Sequence, residues 1–530
     1  MRKTAPERAG RREWIGLGVL ALPTVVLSMD LTALHLAAPS LSADLDPTGP
    51  QLLWILDVYG FMVAGFLLVM GGLGDRIGRR RLLLIGSAAF AAASTAAAFA
   101  PTAETLIAAR ALLGVAGATL MPSTLALLAD LFRDPAQRTF AIAVWMTCFT
   151  AGEAIGPLVG GVMLEFFWWG SIFLIGVPVM ALLLAVGPFL LPEHTERPTG
   201  RLDVAGAALL VAAVLPLVYG IKSLASSGPV FEAAAWVAAG LALGALFVRR
   251  QLRMSDPLMD LRLFRLPAFS AGLGAQFLAV VAMAGSQLLV VQYLQSVLVL
   301  SPLEAGLWTV PSIVLGIIAT LGAPRLVRRV RPAAVVAAGL GSASVGAAVI
   351  AATAPQADLA WTLAGFTVLY TGVTPTLALT TDLIVGSAPA RRAGTASSVA
   401  ESGGEFGLAA GMAFLGAAAM GVYQASLSAS APEGAAAGDL AAAGETVGAG
   451  VEAARGLPGE AGTALLGAVR SSFADGLQAA AAIGAVLLVL AAALALAFLR
   501  GVPPTGAARE EQDTGAPEEE GERREAPAER

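Results

Sequence analysis

Apolar runs broken by short clusters of arginine, glycine and proline repeat along the chain from residue 14 to residue 499. A helix crosses a hydrocarbon core with about 20 apolar residues, because every backbone N–H and C=O must then be satisfied inside the segment. The runs predict such helices at residues 14–36, 51–72, 82–100, 104–131, 139–164, 171–191, 203–222, 231–249, 267–298, 304–324, 333–354, 359–386, 394–424 and 476–499. The expected fold class is an all-α polytopic membrane protein with 14 transmembrane helices.

Basic residues fall on alternate connections. One side carries Arg2, Lys3, Arg8, Arg11 and Arg12, then Arg76, Arg79, Arg80 and Arg81, then Arg133 and Arg138, then Arg197 and Arg201. It continues with Arg249, Arg250, Arg253, Arg262 and Arg265, then Arg325, Arg328, Arg329 and Arg331, then Arg391 and Arg392; the short connections of the other side hold Lys222. The positive-inside rule makes the first side cytoplasmic and puts both termini there. Residues 1–13 then form a cytoplasmic N-terminus. Residues 425–475 form a long outer connection with two short helices, and residues 501–530, almost without apolar side chains, a disordered cytoplasmic tail.

Composition narrows the classes. Hydrophobic residues are 57% and charged residues 13%, against about 25% charged in soluble domains. The single cysteine, Cys148, excludes an intrachain disulfide framework. With only His35 and His194 and no paired metal ligands, a membrane-embedded enzyme is disfavoured, and the sequence has no GxxxxGK[ST] loop for a fused ATPase. The basic stretch MRKTAPERAGRREW precedes an apolar run long enough to span and not closed by an evident cleavage site, so the first span is expected to stay as an anchor.

The turn GGLGDRIGRRRLL after the second span has an echo after the tenth, GAPRLVRRVRPAA. This duplication predicts two six-helix bundles, 14–191 and 267–499, with two inserted helices at 203–249. GGLGDRIGRRRLL matches the signature turn of the major facilitator superfamily at Gly71, Leu73, Asp75, Arg76, Gly78 and Arg79. LIAARALLGVAGATLMP resembles that superfamily's fourth-span pattern at Arg110, Gly114 and Gly117, and GEAIGPLVGG its fifth-span antiporter motif at Gly152, Gly156, Pro157, Gly160 and Gly161. LSMDLTALHLAAPSL, QLLWILDVYGFMVAGF, SDPLMDLRLFR, SPLEAGLWTVP and AGTASSVAESGGEFG are similar to segments of the fourteen-span drug:proton antiporters that export quaternary ammonium compounds. The resemblance covers residues 10–500 and implies the major facilitator fold, a proton gradient as energy source without a cofactor, and a monomer. It also implies lipophilic cations, protons and the bilayer as partners, and no nucleic acid.

Acids inside spans are the candidate chemistry, since a charge at mid-membrane costs at least about 2.5 kcal/mol. Asp30 lies deep in the first span, level with Arg110 of the fourth; the resemblance implies a proton relay for Arg110. Asp57 lies in the outer third of the second span. Glu401 and Glu405 share one helical face, and two such carboxylates cannot both ionise cheaply, so one keeps a proton until a cation arrives. Glu153 departs from the usual fifth-span pattern by placing a carboxylate among small residues, and Asp382 lies near the cytoplasmic end of the twelfth span. All seven of these charged residues are candidates for proton or substrate coupling. The resemblance places Trp54, Tyr59, Trp145, Phe149, Gln287, Tyr293 and Trp308 around a substrate cavity, where aromatic faces attract cations.

The motif residues Gly71, Asp75, Arg76, Gly78, Arg79, Gly152, Gly156, Pro157 and Gly160 are expected to govern conformation, with Asp75, Arg76 and Arg79 clamping a neighbouring helix end whose carbonyls favour cations. The tenth span, beyond Glu304, carries no acid where some similar proteins do, which points to mainly monovalent cations. The expected function is proton-coupled efflux of many drugs, and the alternative is self-resistance export of one natural product by the same fold.

Overall fold

The computed structural model describes residues 9–47, 49–193, 203–225, 230–254, 257, 259, 261–300, 302–389, 392–430, 440, 443–444 and 447–502. The described residues are helical nearly throughout. The first half comprises α1 (Arg11–Leu45), α2 (Gly49–Ile77), α3 (Arg79–Ala98), α4 (Ala103–Leu131), α5 (Pro135–Phe166), the single turn α6 (Ser171–Leu174) and α7 (Gly176–Leu190). Next come α8 (Val204–Ala225) and α9 (Val230–Gln251). The second half comprises α10 (Pro267–Ser296), α11 (Pro302–Val327), α12 (Pro332–Thr353), α13 (Leu359–Ser387), α14 (Ala393–Ala429), α15 (Val447–Gly456) and α16 (Gly459–Phe498).

Local chemistry sets the helix ends. Thr102 and Thr105 form a reciprocal capping box before α4. Asp134 caps α5 ahead of Pro135, and Asp358 caps α13 through the amides of Ala360 and Trp361. Between α2 and α3 the chain reverses through Gly78 at φ 103°, a conformation that suits a residue without a Cβ.

Twelve helices among the described residues are long and apolar enough to cross a membrane. The helices α5 and α8 occupy the two remaining segments of the predicted series. The last predicted span begins earlier than expected. The predicted span starts at residue 476, just after Asp475, yet α16 runs unbroken from Gly459. Leu465, Val469, Phe473 and Leu477, spaced four apart, form a stripe no more than 2% exposed, and Asp475 is satisfied by the Ser426 hydroxyl at 2.6 Å. The predicted second short helix of the outer connection is therefore the start of α16, while α15 corresponds to the first. Residues 431–439 and 503–530 of the predicted connection and tail lie outside the described residues.

Helix pairings recur in order. In the first half α1 packs on α5, α2 on α4, and α3 on α4 and α7; in the second, α10 packs on α14, α11 on α13, and α12 on α13 and α16. Each half has its own core, one around Leu20, Leu113 and Phe173, the other around Leu340, Phe366 and Leu477. The halves meet crosswise, α2 against α14 and α5 against α11. The helices α8 and α9 pair with each other, and α8 rests on α2 and α14.

Candidate functional site

Arg110 enters the first half from the first third of α4 and is 1% exposed. A guanidinium in such a place needs acceptors for its donors. Its Nη1 donates to Asp30 Oδ2 at 2.9 Å, its Nε to the Ile55 carbonyl at 2.7 Å and its Nη2 to the Leu56 carbonyl at 3.2 Å. The Tyr59 and Phe173 rings lie 5.2 and 5.8 Å from the guanidinium carbon. Arg110 thus joins α4 to α1 and α2. Gly114, one turn on, permits this approach, since a Cβ there would stand 2.5 Å from the Tyr59 carbonyl oxygen.

Three glutamates from both halves are linked to that pair through Tyr59. Glu405 lies within electrostatic reach of Glu153, Glu401 and Tyr59, and Tyr59 lies within reach of Asp30. Glu153 in turn reaches Tyr370 of α13. All three glutamates are half-buried. Helical spacing in the sequence linked Glu401 to Glu405; the crossing of the halves adds Glu153. Carboxylates held near one another make each other's ionisation costlier, which favours a proton or another cation among them.

A second constellation closes the arginine-rich end. Asp75 at the end of α2 accepts the Gly394 and Thr395 amides at 3.0 and 2.9 Å and the Thr395 hydroxyl at 2.9 Å. Arg79 pairs with Asp75 at 3.1 Å and with Asp130 of α4 at 2.6 Å. The clamp differs from the expected one in polarity: its carboxylate holds the N-terminal amides of α14, the positive end of that helix dipole. Gly71 lets the helices cross closely, because a Cβ there would stand 2.5 Å from the Gly394 carbonyl oxygen. Across the other seam Asp382 of α13 accepts from Arg138 at 2.8 Å and from the Thr139 hydroxyl at 2.6 Å, both on α5. Asp382 therefore joins a bridge between the halves and stands apart from the glutamates.

The remaining candidates scatter. Trp54 stacks on Tyr219 of α8, ring centroids 6.2 Å apart, rather than on Tyr59. Trp145 is core, its Nε1 donating to Thr124, and Tyr293 is core with its hydroxyl on the Ala354 carbonyl. Gln287 and Trp308 are exposed. Phe149 is half-buried one turn before Glu153. Gly152 presses α5 on α1, since a Cβ there would meet the Val25 carbonyl oxygen at 2.5 Å; Gly160 does the same at Ala33, and Gly156 is buried. The side chains of Asp57, Pro157 and His35 lie outside the described residues. The bridging residues Asp130, Arg138, Thr139 and Thr395 were not singled out from sequence; Asp130 and Arg138, charges at span ends, carried the only available signal.

The sequence profile of the Major Facilitator Superfamily matches residues 20–412. The chain belongs to that superfamily. Multi-pass membrane architecture and the crosswise pairing of two halves follow as properties of its fold. The multidrug efflux pump LfrA of Mycolicibacterium smegmatis is 42% identical over 494 residues, covering 93% of this chain and 98% of the pump. The methyl viologen resistance protein SmvA of Salmonella typhimurium is 35% identical over 488 residues, covering 91% and 97%. The solved structure of the proton:xylose symporter XylE bound to 6-bromo-6-deoxy-D-glucose superposes with a TM-score of 0.59 over 94% of this chain and 98% of that one, at 14% identity, which speaks to fold alone.

Proposed function

We propose that this chain is a multidrug exporter that exchanges protons entering the cell for lipophilic cations leaving it. The observation that carries the reading is the grouping of Glu153 and Glu401 around Glu405, drawn from both halves and linked through Tyr59 to the Asp30–Arg110 pair. Acid side chains there give a proton and a positively charged drug the same negative site to occupy in turn. Inward movement of one proton releases about 2.3 kcal/mol per 100 mV of membrane potential, and no cofactor is needed.

The fuller reading has fourteen spans in two six-helix bundles, with α8 and α9 inserted between them and both termini on the cytoplasmic face of a bacterial inner membrane. The arginine distribution supports that orientation, and α5 and α8 supply the thirteenth and fourteenth helices. Asp75 and its partners would then hold the cytoplasmic side shut while the cation leaves outward. Quaternary ammonium compounds and cationic dyes are the expected cargo. The lack of an acid within α11 beyond Glu304 favours monovalent cargo, whereas resistance to methyl viologen, a dication, is what the name of SmvA records.

Cells expressing the chain should expel ethidium, and a protonophore should stop the expulsion while ATP depletion at a constant proton gradient should not. Methyl viologen export measured in parallel fixes the charge preference. Export of one natural product with no movement of either cation would replace this reading by that of a dedicated self-resistance pump.

A further inference from the structure

The two crosswise seams between the halves are built alike but charged differently. At the α2–α14 seam an acid of the chain, Asp75, meets the first turn of α14. At the α5–α11 seam the corresponding turn, GAPRLVRRVRPAA, contains no acid. The first turn of α5 is capped from within its own helix start, by Asp134 on the Ala136 amide at 3.0 Å.

A cavity of about 410 Å³ opens at that second seam, lined by Pro324 and Arg325 of α11, Arg328 in the turn that follows it, Gln137 and Phe140 of α5, and Trp14 of α1. No carboxylate lines it, and neither arginine forms an ion pair among the described residues. Gln137 accepts the Ala9 amide on its Oε1 at 2.9 Å, so the group it leaves for the cavity is its NH2 donor. The polar part of the lining is therefore made of donors. The apolar part is aromatic: Trp14 packs edge-on against Phe132 at 5.0 Å and Phe140 at 5.9 Å, with 37% of its surface exposed.

We propose that this cavity binds the phosphate headgroup of an anionic phospholipid, which supplies at the second seam the negative charge that Asp75 supplies at the first. Guanidinium forks suit phosphate oxygens. The aromatic wall suits the glycerol and upper acyl chain, and a basic pocket between helices at the membrane surface is the setting in which such headgroups are held. Because its lining comes from α5 and α11, a bound lipid joins the halves. The inference rests on the cytoplasmic placement of the arginine-rich end made under the proposed function, but its test reads unfolding and not transport, so either can fail alone.

Thermal unfolding of the purified full chain in detergent should be followed with added phosphatidylglycerol, phosphatidylcholine or inorganic phosphate. Phosphatidylglycerol should raise Tm by several degrees and phosphatidylcholine should not, as expected for a ligand that binds the folded state. R325Q/R328Q should lose most of that rise, R325K/R328K should keep part of it, and R329Q/R331Q, which removes two exposed arginines outside the cavity, should keep all of it. An equal rise in R325Q/R328Q and wild type overturns the site, and an equal rise with inorganic phosphate overturns the lipid. Native mass spectrometry of the wild type should retain phosphatidylglycerol in preference to phosphatidylcholine, a readout that needs no variant to fold.

Discussion

Asp75 and Thr395 stand 320 positions apart in the chain, yet two hydrogen bonds of 2.9 Å join them, one from the Thr395 amide and one from its hydroxyl. A carboxylate on helix N-terminal amides combines a cap with the favourable end of the dipole. Asp75→Asn keeps one acceptor oxygen and loses the charge, so it should weaken the seam by about 1–2 kcal/mol. In the proposed exchange cycle the weakened seam then opens too readily. The expected result is a lower Tm, greater labelling of cysteines introduced at the arginine-rich end, and slower dye export. In a double-mutant cycle with Thr395→Val the two losses should not add.

Arg110 uses the geometry of its fork: three nitrogens serve Asp30 and the Ile55 and Leu56 carbonyls. Lysine offers a point charge on a flexible stem and cannot span those acceptors. Arg110→Lys should therefore lower transport at least about tenfold, a barrier change of about 1.4 kcal/mol. Arg110→Ala strands the Asp30 carboxylate in the interior and should cost about 3–5 kcal/mol of stability. Adding Asp30→Ala should return much of it, because the charge left alone is the larger cost. Thermal unfolding of the three variants checks the order.

These contacts differ in how far the sequence announced them. Asp30 and Arg110 were legible as a pair, since charges inside apolar runs at matching depth leave few partners. Glu401 and Glu405 were legible from spacing alone. Glu153 stood out as an acid among glycines, but its neighbour Glu405 lies on a helix of the other half, and no local period reports how two halves cross. The fold was legible for a related reason: each span must satisfy its backbone internally, so apolar runs mark helices one by one. The start of α16 was missed because Asp475 looks like a span boundary until Ser426 is seen to satisfy it. Trp54 was assigned by likeness to the central cavity, and the stacking with Tyr219 of the inserted helix had no signature in either segment.

Glu405 is the acid that reaches both of the others and Tyr59. Neutralising it should disturb coupling more than neutralising Glu153 or Glu401. Residues that act on one bound charge are strongly non-additive. In proteoliposomes, Glu405→Gln should abolish ethidium uptake driven by a pH gradient, while Glu153→Gln and Glu401→Gln each leave a measurable rate. The combination of those two should fall to the level of Glu405→Gln. Independent, multiplicative losses would mean that the three glutamates do not share a site.

Asp382 is tied to α5 by Arg138 and Thr139 and is 5% exposed, so its carboxylate has no free face for a drug. Its influence on transport should therefore be on the motion of the halves. Asp382→Asn removes the charge facing Arg138 and keeps an oxygen for Thr139, which weakens the bridge without emptying it. Such a change should alter the maximal rate of dye export and leave the concentration for half-maximal export unchanged, the pattern of a residue that stabilises one conformation rather than the bound cargo. Gly386 gives a second handle, since a Cβ there would come within 2.6 Å of Arg138 Nη2. Gly386→Ala pushes the guanidinium aside while every carboxylate stays, and should reproduce the effect of Asp382→Asn. A rise in the half-maximal concentration in either variant would instead place Asp382 at the cargo.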